Sequence, residues 1–200
     1  MSAALPGEVR AADRWRLFIA LPLPVETRRS LWAQLAPYRE HHRTTRWLSP
    51  ETWHLTMVFL GPVAPEHVPA LSALVDHVAA LSSAFTVGIR GGGGRERHGE
   101  AVAWLPVREG ADRLIELAGH LALDVGESIT SDPSPRRTPA AHLTVARGTD
   151  RQAVRDLAAE RWGRPEERFL ADRLTLLRSH LEPTGARYET LHGAALYAPR

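Results

Sequence analysis

HLTMVFLG at residues 54–61 and HLTVARG at residues 142–148 are two versions of one short motif. Each is an apolar run that carries one His and one Thr. In a β-strand, alternate side chains point to the same face, so His54 and Thr56 project together while the intervening Leu55 points away. The repeat therefore predicts two strands, each of which presents an imidazole and a hydroxyl on one polar face.

Two such strands side by side would form a groove that contains both histidines and both threonines. An imidazole gains or loses a proton near neutral pH, so His54 and His142 are candidates for a general acid and a general base. Opening a cyclic phosphodiester needs both, and the two catalytic nitrogens are expected roughly 6–8 Å apart. The hydroxyls of Thr56 and Thr144 and the guanidinium of Arg147 would bind the phosphate oxygens. Which histidine is the acid stays open.

A metal site is the main alternative explanation for a pair of histidines. Neither motif holds a carboxylate or a third ligand at a suitable spacing, and the chain contains no H-E-x-x-H sequence. A serine hydrolase is disfavoured because no G-x-S-x-G sequence is present. We therefore expect no metal and no cofactor, and we expect the remaining histidines to be ordinary structural or surface residues.

The composition excludes several kinds of chemistry. All 25 basic residues are Arg, and the chain contains no Lys, Cys or Asn. A Schiff base, a lysyl-adenylate, a P-loop lysine, a thiol nucleophile and a thiolate zinc site are all excluded. The net charge of +2 argues against a polybasic nucleic-acid binder, although a local arginine cluster can still attract a phosphate.

The pattern of hydrophobic residues indicates an α+β fold with antiparallel sheets, since strands are grouped in hairpins with helices between them. Residues 1–13 are predicted to be a flexible leader, followed by a single two-lobed domain over residues 14–200. Helices are predicted at 25–38, 65–82, 111–129 and 150–162. Strands are predicted at 16–23, 46–61, 84–89, 101–107, 140–148, 169–180 and 187–197. Residues 91–100 (GGGGRERHGE) are predicted to be a mobile loop, and residues 131–139 a Pro- and Ser-rich loop.

The apolar segments are too short for a membrane protein. None of them approaches the roughly 18 consecutive apolar residues that a membrane span requires. LFIALPLP at residues 17–24 contains two prolines and lacks a small-residue cleavage pattern, so it is predicted to be a strand and not a signal peptide. We expect a soluble cytoplasmic monomer with no membrane partner.

Four stretches of the chain carry a family resemblance: RLFIALPLP from Arg16, RWLSPETWHLTMVFLG from Arg46, HLTVAR from His142 and LLRSHLEPTGARYETL from Leu176. Together they resemble the two-histidine phosphoesterase superfamily, in the branch of RNA 2',3'-cyclic phosphodiesterases that are also called 2'-5' RNA ligase-like proteins. The resemblance runs from about residue 14 to residue 196. It implies a two-lobed α+β fold in which each lobe contributes an antiparallel sheet and one motif to a central cleft.

The resemblance also implies a reaction, the hydrolysis of an RNA-terminal 2',3'-cyclic phosphate to a 2'-phosphomonoester without a metal. It makes His54 and His142 the acid and base, Thr56 and Thr144 ligands of the phosphate, and Arg147 an assisting residue. The expected partner is therefore an RNA end that carries a 2',3'-cyclic phosphate.

Arg46 and Trp47, just before the first motif, are candidate substrate contacts by the same resemblance, with structural packing as the equal alternative. Three alternatives stay open. The same groove could act on a small cyclic phosphate, such as a cyclic nucleotide or an ADP-ribose cyclic phosphate. It could catalyse reversible 2'-5' RNA ligation, which without Lys would be direct transesterification by the histidine pair. The protein could also bind RNA ends without turnover.

Overall fold

The computed structural model describes residues 14–97, 99–128, 136–137, 141–148, 150–161, 163–183 and 185–197. The predicted leader and most of the predicted Pro- and Ser-rich loop lie outside these residues. The strands are β1 Trp15–Pro22, β2 Arg46–Trp47, β3 His54–Val63, β4 Phe85–Ile89, β5 Gly93–Arg97, β6 Glu100–Glu109, β7 Arg136–Arg137, β8 His142–Gly148, β9 Glu167–Ala171, β10 Arg173–Glu182 and β11 Gly185–Ala195. The α-helices are α1 Val25–Gln34, α2 Ala36–His41, α3 Val68–Leu81, α4 Ala111–Ser128 and α5 Arg151–Ala158.

The strands form two antiparallel sheets, as the grouping of hairpins and helices predicts. The first sheet has the order β11-β10-β1-β3-β7, and the second has the order β2-β8-β6-β4-β9, with β5 paired to β6. The two motif strands, β3 and β8, therefore belong to different sheets. Within the described part of the chain, no helix combines the length and apolarity that crossing a lipid bilayer would require.

Each motif strand is paired with a two-residue strand that precedes the other motif. β2 comes just before β3 in the chain but pairs with β8, with Arg46 opposite Arg147. β7 comes shortly before β8 but pairs with β3, with Val58 opposite Arg137. The segment before each motif strand is thus paired with the motif strand of the other sheet, which links the two sheets twice.

One apolar core lies between the sheets and the helices and includes buried residues of both motif strands. Leu55 and Leu143, the residues after the motif histidines, are 1% and 0% exposed within it. A separate small cluster on the other face of the first sheet contains Phe18, Ala20 and Leu177. Because β3 and β8 are anchored by their apolar residues in one core, their polar residues are held in fixed positions relative to each other.

The prediction of a mobile Gly-rich loop is wrong. Residues Gly93–Arg97 form β5, which pairs along its length with β6. A side chain at Gly92 would collide with the carbonyl oxygen of Leu157, and a Cβ at Gly93 would lie 2.5 Å from Nε1 of Trp104. These glycines permit close packing of neighbouring groups. A glycine-rich composition alone does not tell whether a segment is closely packed or flexible.

Proline and glycine shift several predicted boundaries. The predicted helix over 25–38 is two helices, because Pro37 has no amide hydrogen to continue α1. The predicted strand over 46–61 is interrupted by a 3-10 turn at Pro50–Thr52. β3 then continues to Val63 through a bulge, where Gly61 adopts a φ of 76°.

Two further predictions differ from the structure toward the end of the chain. α5 begins after the capping residue Asp150, whose carboxylate accepts a hydrogen bond from the Ala153 amide, as expected. It ends at Ala158 and not near residue 162, since Glu160 adopts a left-handed φ of 48°. The predicted strand over 169–180 is two strands in different sheets, β9 and β10.

Candidate active site

β3 presents the first motif to a cleft at the junction of the two sheets. His54 and Thr56 are half-buried on one face, while Leu55 and Met57 are buried on the other. The predicted alternation is therefore confirmed for this strand. Within the sheet, His54 lies opposite Pro22 of β1.

β8 presents the second motif in the same way. His142 and Thr144 are half-buried, while Leu143 and Val145 are completely buried. His142 lies opposite Pro106 of β6, just as His54 lies opposite a proline of β1. The two motifs thus have equivalent surroundings in the two sheets.

The five residues predicted to perform the chemistry line one cavity of about 180 Å³. They are His54, Thr56, His142, Thr144 and Arg147. Leu48, Thr52 and Tyr188 complete the wall. The cavity is smaller than the roughly 300–1,000 Å³ of a typical small-molecule site, so its size suits a phosphate group better than a whole nucleotide.

A hydrogen bond to Thr52 and burial together determine the tautomer and the charge of His54. Its Nδ1 lies 2.8 Å from the carbonyl oxygen of Thr52, and because a carbonyl only accepts, Nδ1 carries the hydrogen. Burial lowers the pKa of His54 to about 4; the Thr52 bond opposes this shift, and the charge of Arg147 adds to it. At neutral pH His54 is therefore uncharged, with Nε2 able to accept a proton.

Aromatic rings pack beside both motif histidines. The ring centroids of Phe18 and His54 are 4.8 Å apart. The ring of Tyr188 meets that of His54 edge-on, with centroids 5.1 Å apart and ring planes at 90°. The ring of Trp104 lies 5.4 Å from that of His142. These contacts restrict the orientation of both imidazoles.

Tyr188 is a site residue that sequence reasoning did not single out. It belongs to β11, which follows the first motif by more than 130 positions, and its spacing carries no signal. Burial raises the pKa of Tyr188, although the charges of Arg147 and Arg16 oppose that shift. Its phenol therefore keeps its proton at neutral pH and presents a hydroxyl to the cavity.

The two candidate substrate contacts, Arg46 and Trp47, have different surroundings in the structure. Arg46 is exposed and lies opposite Arg147 at the edge of the site. Trp47 is half-buried against the core, and its indole nitrogen donates to the carbonyl of His42 at 3.2 Å. Arg46 is therefore placed to contact a ligand, whereas Trp47 holds β2 in position.

Two larger cavities flank the small one, and both are lined by His54 and Tyr188. We call the first, of about 450 Å³, the arginine cavity, since it is lined by Arg16, Arg46 and Arg147. We call the second, of about 410 Å³, the side cavity; its wall includes Arg28, Glu51, Trp53, Arg173 and Thr175. Each has the volume of a small-molecule site.

A separate cluster of His41, His42 and Asp156 has ligand atoms within 4.8 Å of one another, a spacing that a metal ion could use. However, the Asp156 carboxylate accepts from Nε2 of His42 at 2.9 Å and lies 3.3 Å from the guanidinium of Arg161. Burial raises the pKa of Asp156, but hydrogen bonds from Gln152, His42 and Arg161 outweigh this and lower it. The arrangement is that of a buried ion-pair network, and neither motif histidine belongs to it.

The comparison with known proteins identifies the family. The model of the 2'-5' RNA ligase superfamily matches residues 27–183. The chain belongs to this superfamily. The matched region includes both motifs and Arg147, and it ends before Tyr188.

Two named proteins are similar to this chain over most of its length. A Thermus thermophilus protein named RNA 2',3'-cyclic phosphodiesterase is 31% identical over 190 residues, which are 90% of this chain and 90% of the relative. A Geobacillus stearothermophilus protein of the same name is 28% identical over 187 residues. The match covers 89% of this chain but only 56% of that relative, so the chain spans little more than half of its length.

A solved structure supports the fold. The crystal structure of E. coli LigT complexed with 3'-AMP matches with a TM-score of 0.68 and 27% identity, over 92% of this chain and 98% of LigT. The α+β fold with antiparallel sheets expected from the sequence is confirmed.

Proposed function

We propose that this protein hydrolyses the 2',3'-cyclic phosphate at the end of an RNA strand to a 2'-phosphomonoester. The observation that supports this most directly is the cavity of about 180 Å³ lined by both motif histidines, both motif threonines and Arg147. Such a set provides an acid, a base and donors to phosphate oxygens. The names of the relatives supply the substrate class.

His54 acts as the general base in this mechanism. It is neutral, its Nδ1 is held by Thr52, and its Nε2 takes a proton from a water molecule whose oxygen attacks phosphorus. The negative charge of a bound phosphodiester raises the pKa of a neighbouring imidazole, which brings that of His54 nearer to the working pH. The structure thus favours one of the two assignments that the sequence leaves open.

His142 then acts as the general acid. As the bond between phosphorus and the 3' oxygen breaks, protonated His142 donates its proton to that oxygen, which leaves a 3' hydroxyl and a 2'-phosphomonoester. Thr56, Thr144 and Arg147 bind the non-bridging oxygens and stabilise the charge that develops on them. One turnover leaves His54 protonated and His142 neutral, and exchange with solvent restores both.

The proposal includes the conditions under which the enzyme works. It acts in the cytoplasm, as a monomer and without a metal ion. Reversible 2'-5' ligation would use the same two histidines with an RNA hydroxyl in place of water. A small cyclic phosphate is the less favoured substrate, since two cavities larger than the central one are available for the rest of an RNA strand.

The test is incubation of the purified protein, in EDTA, with an oligoribonucleotide that ends in a 2',3'-cyclic phosphate. The wild type and the exposed-residue control His77→Ala are expected to yield a 2'-phosphate, while His54→Ala and His142→Ala are expected to be inactive. A 2',3'-cyclic mononucleotide is assayed in parallel.

Several outcomes would contradict the proposal. Activity that EDTA removes and a divalent ion restores would exclude the metal-free mechanism. A large preference for the mononucleotide would favour a small substrate. Tight binding of the oligonucleotide with no product over hours would favour an RNA-end binding protein.

A further inference from the structure

The arginine cavity carries an uncompensated positive charge. Among the described residues, no carboxylate lies within ion-pair distance of Arg16, Arg46 or Arg147. The acidic residue of its wall, Glu182, is already bound by Nε of Arg187 at 2.8 Å. Three guanidinium groups that share one cavity, none of them paired with a carboxylate among the described residues, favour a ligand with more than one negative charge.

The arginines enter this cavity from different sheets. Arg147 and Arg46 lie opposite each other on β8 and β2 of the second sheet. Arg16 projects from β1 of the first sheet, where its guanidinium lies 4.6 Å from the ring centroid of Phe59. If Arg147 binds the terminal phosphate, then Arg46 and Arg16 are left for a second anionic group farther along the cavity.

The wall of the cavity also offers apolar surface beside these charges. Leu181, at the end of β10, is 75% exposed, and Phe59 is half-buried next to Arg16. Exposed apolar and aromatic side chains next to arginines are a common way to hold the bases and backbone of single-stranded RNA.

We propose that the arginine cavity binds the phosphodiester immediately 5' to the terminal nucleotide, through Arg16 and Arg46. This rests on the proposed function and specifies its substrate as an RNA of at least two nucleotides. A mononucleotide occupies the small cavity but leaves these two arginines without a ligand. The protein is therefore selective for the end of an RNA strand over a free cyclic nucleotide.

The side cavity is less suited to the strand backbone. It contains Arg28 and Arg173, but the carboxylate of Glu51 belongs to the same wall. A hydrogen bond from Ser49 lowers the pKa of that carboxylate, and the charge of Arg28 adds a smaller lowering. Thr175 there is only 5% exposed, and its hydroxyl has no hydrogen-bond partner among the described residues. This smaller net charge and the buried hydroxyl suit an uncharged group.

The test measures kcat/KM on a five-nucleotide RNA with a 2',3'-cyclic phosphate and on a 2',3'-cyclic mononucleotide. Arg16→Gln and Arg46→Gln are expected to lose about tenfold or more on the RNA and less than about threefold on the mononucleotide. Arg29→Gln, at a position 74% exposed on α1 and outside the three cavities, controls for the lost charge. Arg173→Gln tests the side cavity. Thermal melting of each variant shows that it is folded.

Binding provides a readout that does not depend on turnover. Fluorescence anisotropy with the same RNA ending in a 2'-phosphate gives Kd as a function of salt. The slope of log Kd against log salt is expected to fall by about 0.7 in magnitude for each arginine removed. Arg29→Gln is expected to keep the wild-type slope.

Two results would overturn the inference. One is an equal loss on RNA and mononucleotide, which would mean that both arginines act on the terminal phosphate. The other is a length-dependent loss in Arg173→Gln but not in Arg16→Gln or Arg46→Gln, which would place the strand in the side cavity. If wild-type protein binds RNA through Arg16 and Arg46 but does not turn it over, the proposed function fails while the inference stands.

Discussion

The indole of Trp104 lies beside the imidazole of His142, with ring centroids 5.4 Å apart and ring planes at 47°. The same indole is in contact with Gly93 of β5 on its other side. The glycine-rich strand therefore acts on the site indirectly, because it determines where Trp104, and hence His142, can lie.

Gly93→Ala should impair catalysis through this contact. Its Cβ would lie 2.5 Å from Nε1 of Trp104, so the indole that packs beside His142 must shift. We expect a loss of about tenfold in kcat, since small displacements of a catalytic group are costly, and a loss of about 1–3 kcal/mol in the free energy of unfolding.

Gly119→Ala is the matched control for this substitution. A Cβ at Gly119 meets nothing within 4 Å, and the residue lies inside α4. It should leave kcat unchanged and stabilise the protein by about 0.5–1 kcal/mol, because alanine favours a helix over glycine. Equal kcat values for the two variants would show that Trp104 does not position His142.

Tyr188 should act through its ring more than through its hydroxyl. The ring meets His54 edge-on, and removing it in Tyr188→Ala frees the imidazole to rotate. We expect a loss of about tenfold or more in kcat for Tyr188→Ala and less than about threefold for Tyr188→Phe. Steady-state kinetics on the cyclic-phosphate RNA measure both, and an equally large loss in Tyr188→Phe would assign the role to the hydroxyl.

The low pKa of His54 predicts a particular pH dependence of the rate. The base is neutral above its pKa of about 4, so kcat/KM should fall on the acid side only as the pH approaches 4. On the alkaline side the rate should fall as the general acid loses its proton. A kcat/KM profile from pH 3.5 to 9 measures both limbs, and a flat profile would contradict catalysis by two imidazoles.

The same shift predicts an effect on stability. The folded protein resists protonation of His54 down to pH about 4, whereas the unfolded chain takes up that proton below its ordinary pKa of 6.5. Stability is therefore lost as the pH falls from 6.5 to 4, by at most about 3 kcal/mol from this residue. Urea unfolding of the wild type and of His54→Gln across this range should show the smaller pH dependence in the variant.

Asp156 should contribute to stability and not to catalysis. Its carboxylate and His42 form a buried pair with side chains 7% and 6% exposed. Asp156→Ala leaves the polar groups around it without their acceptor and should lower the free energy of unfolding by about 3 kcal/mol. The exposed pair of His192 and Asp76 provides the control, and Asp76→Ala should cost less than about 1 kcal/mol. Denaturant unfolding measures both, and equal costs would contradict the structural role.

The faces of the two motif strands were predictable from sequence because they depend only on the alternation of neighbouring side chains. His54 and Thr56 point away from Leu55 whatever the strand pairs with. The pairing itself was not predictable, since β2 pairs with β8 although only residues 48–53 separate it from β3 in the chain. Such long-range pairing leaves no periodic signal in the chain.

Tyr188 and the glycines show two further limits of sequence reasoning. Tyr188 reaches the site because β11 and β10 complete the first sheet, which only the folded structure reveals. The run at residues 91–94 has the composition of a flexible linker, yet neighbouring groups such as Trp104 leave no room for side chains at Gly92, Gly93 and Gly94. Packing, and not local propensity, decides the conformation at that run.

The two short strands β2 and β7 limit how far the cleft can open. β2 pairs with β8, β7 pairs with β3, and the Leu48 amide beyond β2 donates to the Val145 carbonyl at 2.8 Å. Separating the two sheets would break these backbone hydrogen bonds on both sides of the cleft at once. We therefore expect the cleft to be preformed, with walls that adjust by side-chain rotation more than by movement of one sheet against the other.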